Sequence, residues 1–212
     1  TKPTVSTPAV ANPDITKPPT NTERGIPQPQ TKPSTGSGGY YLDDGPGDNP
    51  PADIDNIPDA TLKSETPFAR SNRPYSALGQ QYVPMTNYAP YKKQGIASWY
   101  GKRYHGRKTS SGEVYDMYGM SAAHPILPIP SYVKVTNPAN GRSVIVRVND
   151  RGPFKHDRLI DLSYAAAYKL RLISQGSGLV EVEALDTSPE AIAKINSNPQ
   201  TSTVASSQPA SV

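Results

Sequence analysis

The chain has 212 residues, of which 34% are hydrophobic and 24 are proline, so it is too poor in apolar residues to fold as one compact domain over its full length. Lysine and arginine (22) outnumber aspartate and glutamate (18), which gives a formal net charge of +4. The absence of cysteine excludes disulfides, thiolate metal sites and cysteine nucleophiles. No apolar run reaches the roughly 20 residues needed to cross a bilayer.

The two ends of the chain have the composition of linkers. Residues 1–66 are rich in proline, threonine and aspartate, and residues 187–212 in serine, proline, asparagine and glutamine. Such segments bury too little apolar area to offset the loss of backbone entropy, so we predict a disordered linker over each range. Residues 67–94 contain four tyrosines, and we expect a Tyr-rich arm that can pack along the domain, since a phenol ring buries area while its hydroxyl stays in water.

From residue 95 to residue 186 the pattern changes to short alternating strands and tight turns. The segments that favour strands are 95–101, 131–137, 142–150, 158–162 and 178–185. Asn140-Gly141 is typical of a hairpin turn, and Ser163 stands at the N-cap position of an alanine-rich helix. About six short strands with one or two short helices predict a mainly β fold, a small barrel, over residues 95–186.

The predicted barrel carries all of the net charge, because residues 95–186 contain 12 basic and 8 acidic side chains. A basic domain suits an acidic partner such as a nucleic acid or an anionic cell-wall polymer, although an ordinary solvated surface has the same composition. Trp99, Tyr100 and Tyr104 lie beside Lys102, a combination that can stack either on bases or on sugar rings. The pattern alone does not separate these two ligands.

Three titratable residues stand next to turns or strand ends: Glu113, His124 and Asp150. Asp150 follows a run of alternating valines and precedes Arg-Gly-Pro, so its carboxylate is expected at the barrel rim, where it could serve a groove or simply accept turn amides. A loop glutamate such as Glu113 is commonly only solvated, and His124 could be a structural histidine. The histidines lack metal-type spacing, and we predict no metal site and no cofactor.

The blocks ASWYG, TSSGEVYD with its sequel SAAH, VTNPANGRSVIVRVNDRGPF and RLIDLS together resemble the double-psi β-barrel domain of the rare lipoprotein A family of bacterial septal-ring proteins. The resemblance covers about residues 95–186. It implies a six-stranded double-psi β-barrel and the activity of an endolytic lytic transglycosylase of peptidoglycan. It also implies that Asp150, Glu113 and His124 are catalytic, with either carboxyl group as the general acid and His124 hydrogen-bonded to one of them.

Further expectations follow from the resemblance. Peptidoglycan glycan strands would be the partner, with Trp99, Tyr100, Tyr104, Lys102 and Arg151 as substrate-binding residues, and nucleic acid would not bind. The protein would be a periplasmic monomer at the division septum. Relatives are typically outer-membrane lipoproteins that carry a lipidated cysteine and a SPOR domain, and neither feature occurs in this sequence. The competing interpretations are an expansin-like glycan-binding module without catalysis and an ordinary hydrolase.

Overall fold

The computed structural model describes residues 45, 47, 49–155 and 157–197. Its elements are a 3₁₀ helix (Ile54–Asn56), the strands β1 (Tyr75–Ala77), β2 (Gln80–Tyr82), β3 (Lys92–Tyr100), β4 (Ser121–Ala123), β5 (Ser131–Thr136), β6 (Ser143–Asp150), β7 (Arg158–Ser163) and β8 (Ser177–Ala184), and the helices α1 (Tyr164–Lys169) and α2 (Pro189–Ser197). No helix among these residues has the length and apolar character needed to span a membrane.

Six strands close into a barrel in the order β3-β7-β4-β6-β5-β8, which confirms the predicted fold class. Two pairs, β3 with β7 and β4 with β6, are parallel, and the other four contacts around the barrel are antiparallel. The barrel interior is filled by one side of each strand. On β6 these residues are Val144, Val146 and Val148, which pair with β5 and are almost fully buried, as their alternation in the sequence predicts.

The barrel begins at Lys92, three residues before the predicted boundary, because the start of β3 pairs with β8 from Lys92 onward. Residues 158–163 form β7, and Ser163 caps α1 by accepting a hydrogen bond from the Ala166 amide (3.3 Å). The Tyr-rich arm contains the antiparallel hairpin β1-β2, which lies outside the barrel sheet.

Part of each predicted linker is ordered, which corrects the boundaries at residues 66 and 187. The N-terminal segment, defined here as residues 49–91, packs on the barrel from its 3₁₀ helix onward: Ile54 is buried in the core and the Ala60 amide donates to the Ile145 carbonyl (3.0 Å). The acidic and proline-rich composition concealed these anchors. At the other end α2 continues the described chain to residue 197. The remaining linker residues, 1–44, 46, 48 and 198–212, lie outside the described part.

Candidate active site

The site is built where the loop Thr109–Glu113 crosses the end of β6. Gly112, at φ +92°, allows the loop to close on itself through bonds from the Thr109 amide to the Glu113 carbonyl (2.8 Å) and from the Gly112 amide to the Thr109 carbonyl (2.9 Å). The Ser111 amide donates to the Asn149 carbonyl (3.2 Å) and fixes the loop on β6. Both predicted carboxyl residues therefore lie at one junction, although they are far apart in sequence.

A β-bulge at the end of β6 explains how one loop contacts the side chains of two consecutive residues of the strand, Asn149 and Asp150. Ala122 pairs with Val148 but Ala123 pairs with Asp150, so Asn149 is an extra residue in the strand. A bulge interrupts strict alternation and redirects the side chains that follow it. As a result the loop hydrogen-bonds both the Asn149 and the Asp150 side chains, which a regular strand would point to opposite faces.

The Asp150 carboxyl group is buried, with the residue only 1% exposed. Its Oδ1 atom accepts hydrogen bonds from the Ser110 amide (2.8 Å), the Arg151 amide (2.8 Å) and the Ser110 hydroxyl. Within the described residues no hydrogen bond reaches Oδ2, which is therefore the oxygen available to hold a proton. Burial raises the pKa of Asp150 from 3.8 to about 6, against the opposing effect of these donors.

The Glu113 carboxyl group has the opposite character. It is partly exposed, and it accepts hydrogen bonds from Arg147 Nη1 at both oxygens (2.8 and 2.6 Å) and from Asn149 Nδ2 at Oε2 (2.9 Å). Partial burial favours the neutral acid, but the bonds from Arg147 and Asn149 outweigh it and lower the pKa of Glu113. The junction thus holds one carboxyl group biased toward the protonated form and one biased toward the ionised form.

His124 is adjacent to the site, but its imidazole makes no hydrogen bond to either carboxyl group within the described residues. The His124 amide donates to the Asp150 carbonyl (3.0 Å), whereas Nδ1 accepts from the amides of Ile126 (3.2 Å) and Leu127 (3.0 Å) and Nε2 lies 3.2 Å from the Tyr91 hydroxyl. Burial lowers the pKa of His124 to about 3, so the ring is neutral. The predicted hydrogen bond from His124 to a catalytic acid is therefore not formed, and the ring instead stabilises the turn of residues 124–127.

The three aromatic residues predicted to bind substrate are buried in the structure. Trp99, Tyr100 and Tyr104 are 3%, 7% and 1% exposed and belong to the core, so they have no open face for a sugar. Aromatic residues beside basic ones are typical of ligand surfaces, but here the rings fill the barrel and its first loop while the basic side chains point outward. Lys102 is exposed and stays a candidate.

Arg151 is also corrected, because its guanidinium is buried among protein acceptors. It donates to the carbonyls of Ser71, His124 and Leu127 and to Asn72 Oδ1, at 2.6 to 3.2 Å. Burial lowers the pKa of Arg151 to about 10. Arg151 therefore binds the N-terminal segment to the barrel, and its donors are not directed toward a substrate.

Several residues at the site were not identified from the sequence. Ser110, Arg147 and Asn149 contact the two carboxyl groups directly, and Glu65 contacts Arg147. A second group is aromatic and partly exposed: Tyr75 and Tyr82 of the hairpin β1-β2 stack at 5.1 Å between ring centroids, and Phe154 meets them at 5.9 and 5.7 Å. The VRVND and RGPF motifs contain Arg147, Asn149 and Phe154, so these three were within reach of sequence reasoning.

Comparison with known proteins assigns the domain. A family model described as a lytic transglycolase matches residues 92–184, which is the barrel from β3 to β8. The chain contains a double-psi β-barrel domain of the rare lipoprotein A family. Its relatives include proteins named endolytic peptidoglycan transglycosylase RlpA. That of Pseudomonas aeruginosa is 54% identical over 134 residues, 63% of this chain and 39% of the relative.

Two further RlpA relatives are similar. The protein of Vibrio cholerae is 47% identical over 152 residues (72% of this chain, 58% of the relative), and that of Neisseria meningitidis serogroup B is 55% identical over 127 residues (60% and 53%). The chain therefore spans 39% to 58% of the length of these relatives. Among solved structures, a Streptomyces papain inhibitor covers 45% of this chain and 96% of its own at a TM-score of 0.39 and 24% identity.

Proposed function

We propose that this chain is the catalytic part of a peptidoglycan lytic transglycosylase that cleaves the β-1,4 bond between N-acetylmuramic acid and N-acetylglucosamine. The observation that carries the proposal is a pair of carboxyl groups, Glu113 on the loop and Asp150 at the end of β6, whose pKa values are displaced in opposite directions, raised at Asp150 and lowered at Glu113. Such a pair supplies an acid and an anion at the same pH. The names of the relatives supply the substrate class.

In the first step Asp150 acts as the general acid. Its Oδ2 proton passes to the glycosidic oxygen as the bond from that oxygen to C1 of the muramic residue breaks, and N-acetylglucosamine leaves with a free 4-hydroxyl group. The negative charge of Glu113 stabilises the resulting oxocarbenium character at C1. The raised pKa of Asp150 supports this assignment of the acid, and the ion pair with Arg147 supports the ionised role of Glu113.

In the second step the Asp150 carboxylate acts as a base. It takes the proton from the C6 hydroxyl of the same muramic residue while that oxygen bonds to C1, and Asp150 returns to its protonated form. The product carries a 1,6-anhydro ring, and neither water nor a cofactor is consumed. A hydrolase would instead need a second base to activate water, and Glu113 is held by Arg147 and Asn149 in the form of an ion-paired anion.

The substrate must reach a carboxyl group that is almost entirely covered. Ser110 is partly exposed, and its hydroxyl donates to Asp150. We propose that a glycan oxygen displaces this hydroxyl and so reaches the Asp150 carboxyl group. Tyr82 and Phe154, partly exposed on the N-terminal segment and the loop after β6, are the rings we propose for contact with sugars. Lys102 is a candidate for the lactyl or peptide carboxylates.

Location and partners extend the proposal. A peptidoglycan substrate places the protein in the cell wall or periplasm. We further propose that it acts as a monomer on peptide-poor strands at the septum, in a full-length protein attached to the outer membrane by lipid. These finer features rest on the resemblance to the family.

The test uses purified peptidoglycan sacculi and the variant Asp150→Asn. The wild-type chain should release soluble fragments whose muramic ends are lighter by one water than hydrolysed ends, as read by mass spectrometry, and the variant should bind sacculi but release none. Release of fragments with hydrolysed ends would show that the enzyme is a hydrolase and would reject the transglycosylase proposal. Binding without release by the wild-type chain would favour the expansin-like module and reject the enzyme.

A further inference from the structure

The N-terminal segment contributes a side chain to the electrostatic network of the site. Glu65 accepts hydrogen bonds from Arg147 at both carboxylate oxygens, from Nε to Oε2 (2.8 Å) and from Nη2 to Oε1 (2.9 Å). The remaining nitrogen of the same guanidinium, Nη1, contacts Glu113. Arg147 therefore lies between two carboxylates, and each of its three guanidinium nitrogens donates to one of them.

Glu65 is itself held in place by the barrel. The hydroxyl of Tyr132, a buried residue on β5, donates to Glu65 Oε2 (2.6 Å). The bonds from Arg147 lower the pKa of Glu65, with burial opposing and the Tyr132 bond assisting, so the carboxylate stays ionised beside Arg147. A two-point contact between a carboxylate and a guanidinium fixes the plane of the guanidinium, which a single contact does not.

We propose that Glu65 is a positioning residue for the reaction, which acts through Arg147 to fix the Glu113 carboxylate at the loop. This inference rests on the proposed function. With Glu65 in place, rotation of Arg147 away from Glu113 also breaks the two charge-assisted bonds to Glu65. Without Glu65, the Arg147 side chain is free to rotate toward water or toward carboxylates of the substrate. The matched family span begins at residue 92, so Glu65 lies outside the barrel domain that the family model describes.

Few charged groups of the described residues lie close to Glu113, which makes the coupling measurable. Arg147 faces it from β6, Glu65 lies behind Arg147 on the N-terminal segment, and the Arg70 guanidinium of the same segment lies where a side chain at Gly112 would touch it. The negative charge of Glu65 opposes that of Glu113 and raises the pKa of Glu113. Removing that charge alone would shift the Glu113 titration to lower pH, whereas release of Arg147 from Glu113 would shift it to higher pH, because the bonds from Arg147 lower the pKa of Glu113. Positioning through Arg147 therefore predicts a shift to higher pH.

The experiment compares Glu65→Gln with a matched control in the full chain. Asp55→Asn removes a carboxylate of the N-terminal segment that also makes a two-point contact with an arginine of the barrel, Arg171 (2.8 and 2.9 Å), but has no contact with Arg147 or Glu113 among the described residues. On soluble glycan strands, Glu65→Gln should lower kcat about tenfold with KM within about twofold, whereas Asp55→Asn should leave both unchanged.

Two readouts separate positioning from mere attachment of the segment. In a Glu113→Gln background, Glu65→Gln should change kcat by less than about twofold, because its route of action is already removed. Carbon NMR of the side-chain carboxyl groups should show Glu113 titrating at higher pH in Glu65→Gln than in the wild type and in Asp55→Asn, because Arg147 is no longer held against Glu113. A Glu113 titration that is unchanged or moves to lower pH, or an equal loss of kcat in both backgrounds, would overturn the inference, because Arg147 would then still be held on Glu113 without Glu65. A wild-type chain without activity would defeat the proposed function, and the NMR titration would still decide the coupling.

Discussion

Replacement of Asp150 by asparagine should stabilise the fold while it removes the proposed acid. In the folded protein the pKa of Asp150 is raised to about 6 from its ordinary 3.8, because the buried site penalises the ionised form. Asparagine has the same shape as the protonated acid, and its Oδ1 can accept the bonds from the Ser110 amide and hydroxyl and from the Arg151 amide. The variant therefore keeps these contacts and never carries the buried charge.

The sign and size of the effect follow from proton linkage. Below about pH 3.8 Asp150 is protonated in both the folded and the unfolded chain, so the substitution changes little. As the pH rises from there through about 6, the wild-type chain loses stability, because the unfolded chain ionises first and the folded chain ionises only at a cost. Above that pH the raised pKa of Asp150 corresponds to roughly 3 kcal/mol, by which the variant should exceed the wild type in free energy of unfolding.

The assay is urea unfolding of both chains at a series of pH values, followed by the fluorescence of Trp99 and by circular dichroism. Asp157→Asn is the control for the loss of one negative charge, because Asp157 is exposed in the loop before β7. A variant less stable than the wild type above about pH 6, or a difference that does not shrink in acid, would refute the assignment of Asp150 as a desolvated carboxyl group. A stabilised variant that still releases anhydro fragments would refute its role as the acid.

The remaining predictions concern the rest of the site. The rate of fragment release should fall at high pH, as Asp150 loses its proton with a pKa of about 6. It should also fall at low pH, where Glu113 becomes protonated below its ordinary pKa of 4.5. Initial rates measured across the pH range should therefore give a bell-shaped profile. Glu113→Gln should lower kcat on the order of 10²-fold at unchanged unfolding free energy within about 1 kcal/mol, and an effect confined to KM would contradict its electrostatic role. Arg151→Met should cost roughly 3 to 5 kcal/mol in urea unfolding and expose the N-terminal segment to protease, because four buried or part-buried acceptors lose the bonds that Arg151 donates. Tyr82→Ala should raise KM severalfold while kcat stays within about twofold, and an unchanged KM would remove the ring from the glycan site.

The parts of the fold that could be predicted from sequence are those encoded by local alternation. On β6 the valines at 144, 146 and 148 fill the barrel, and the same alternation located Asp150 at the strand end. The short strand β4 has only three residues, Ser121–Ala123, and no alternation long enough to detect. Its neighbour His124 could not be given its contacts from the sequence, because the amides that bond its ring belong to the turn that follows, Ile126 and Leu127.

The residues that were misassigned or missed depend on contacts between distant segments. Arg147 alternates with the buried valines of β6, so the strand alone places it on the less buried side and gives it no functional role. It becomes part of the site only because Glu65 and Glu113 arrive from segments 82 and 34 positions away. The composition of residues 49–66 also favours disorder when read alone, and the burial of Ile54 that anchors the segment exists only against the folded barrel.

The N-terminal segment and the barrel therefore form one functional unit at this site. Ser71 donates to the Ser110 carbonyl (3.0 Å), Asn72 accepts from Arg151, and Glu65 accepts from Arg147, so three side chains of the segment hold three residues that adjoin Asp150 or Glu113. Each of these bonds joins the segment to the loop Thr109–Glu113, to β6 or to the residue that follows it. A barrel cut at residue 92 would retain Asp150 and Glu113 but leave Arg147 and Arg151 with unpaired donors. Because those arginines fix the surroundings of both carboxyl groups, such a fragment should lose activity even where the barrel itself remains folded.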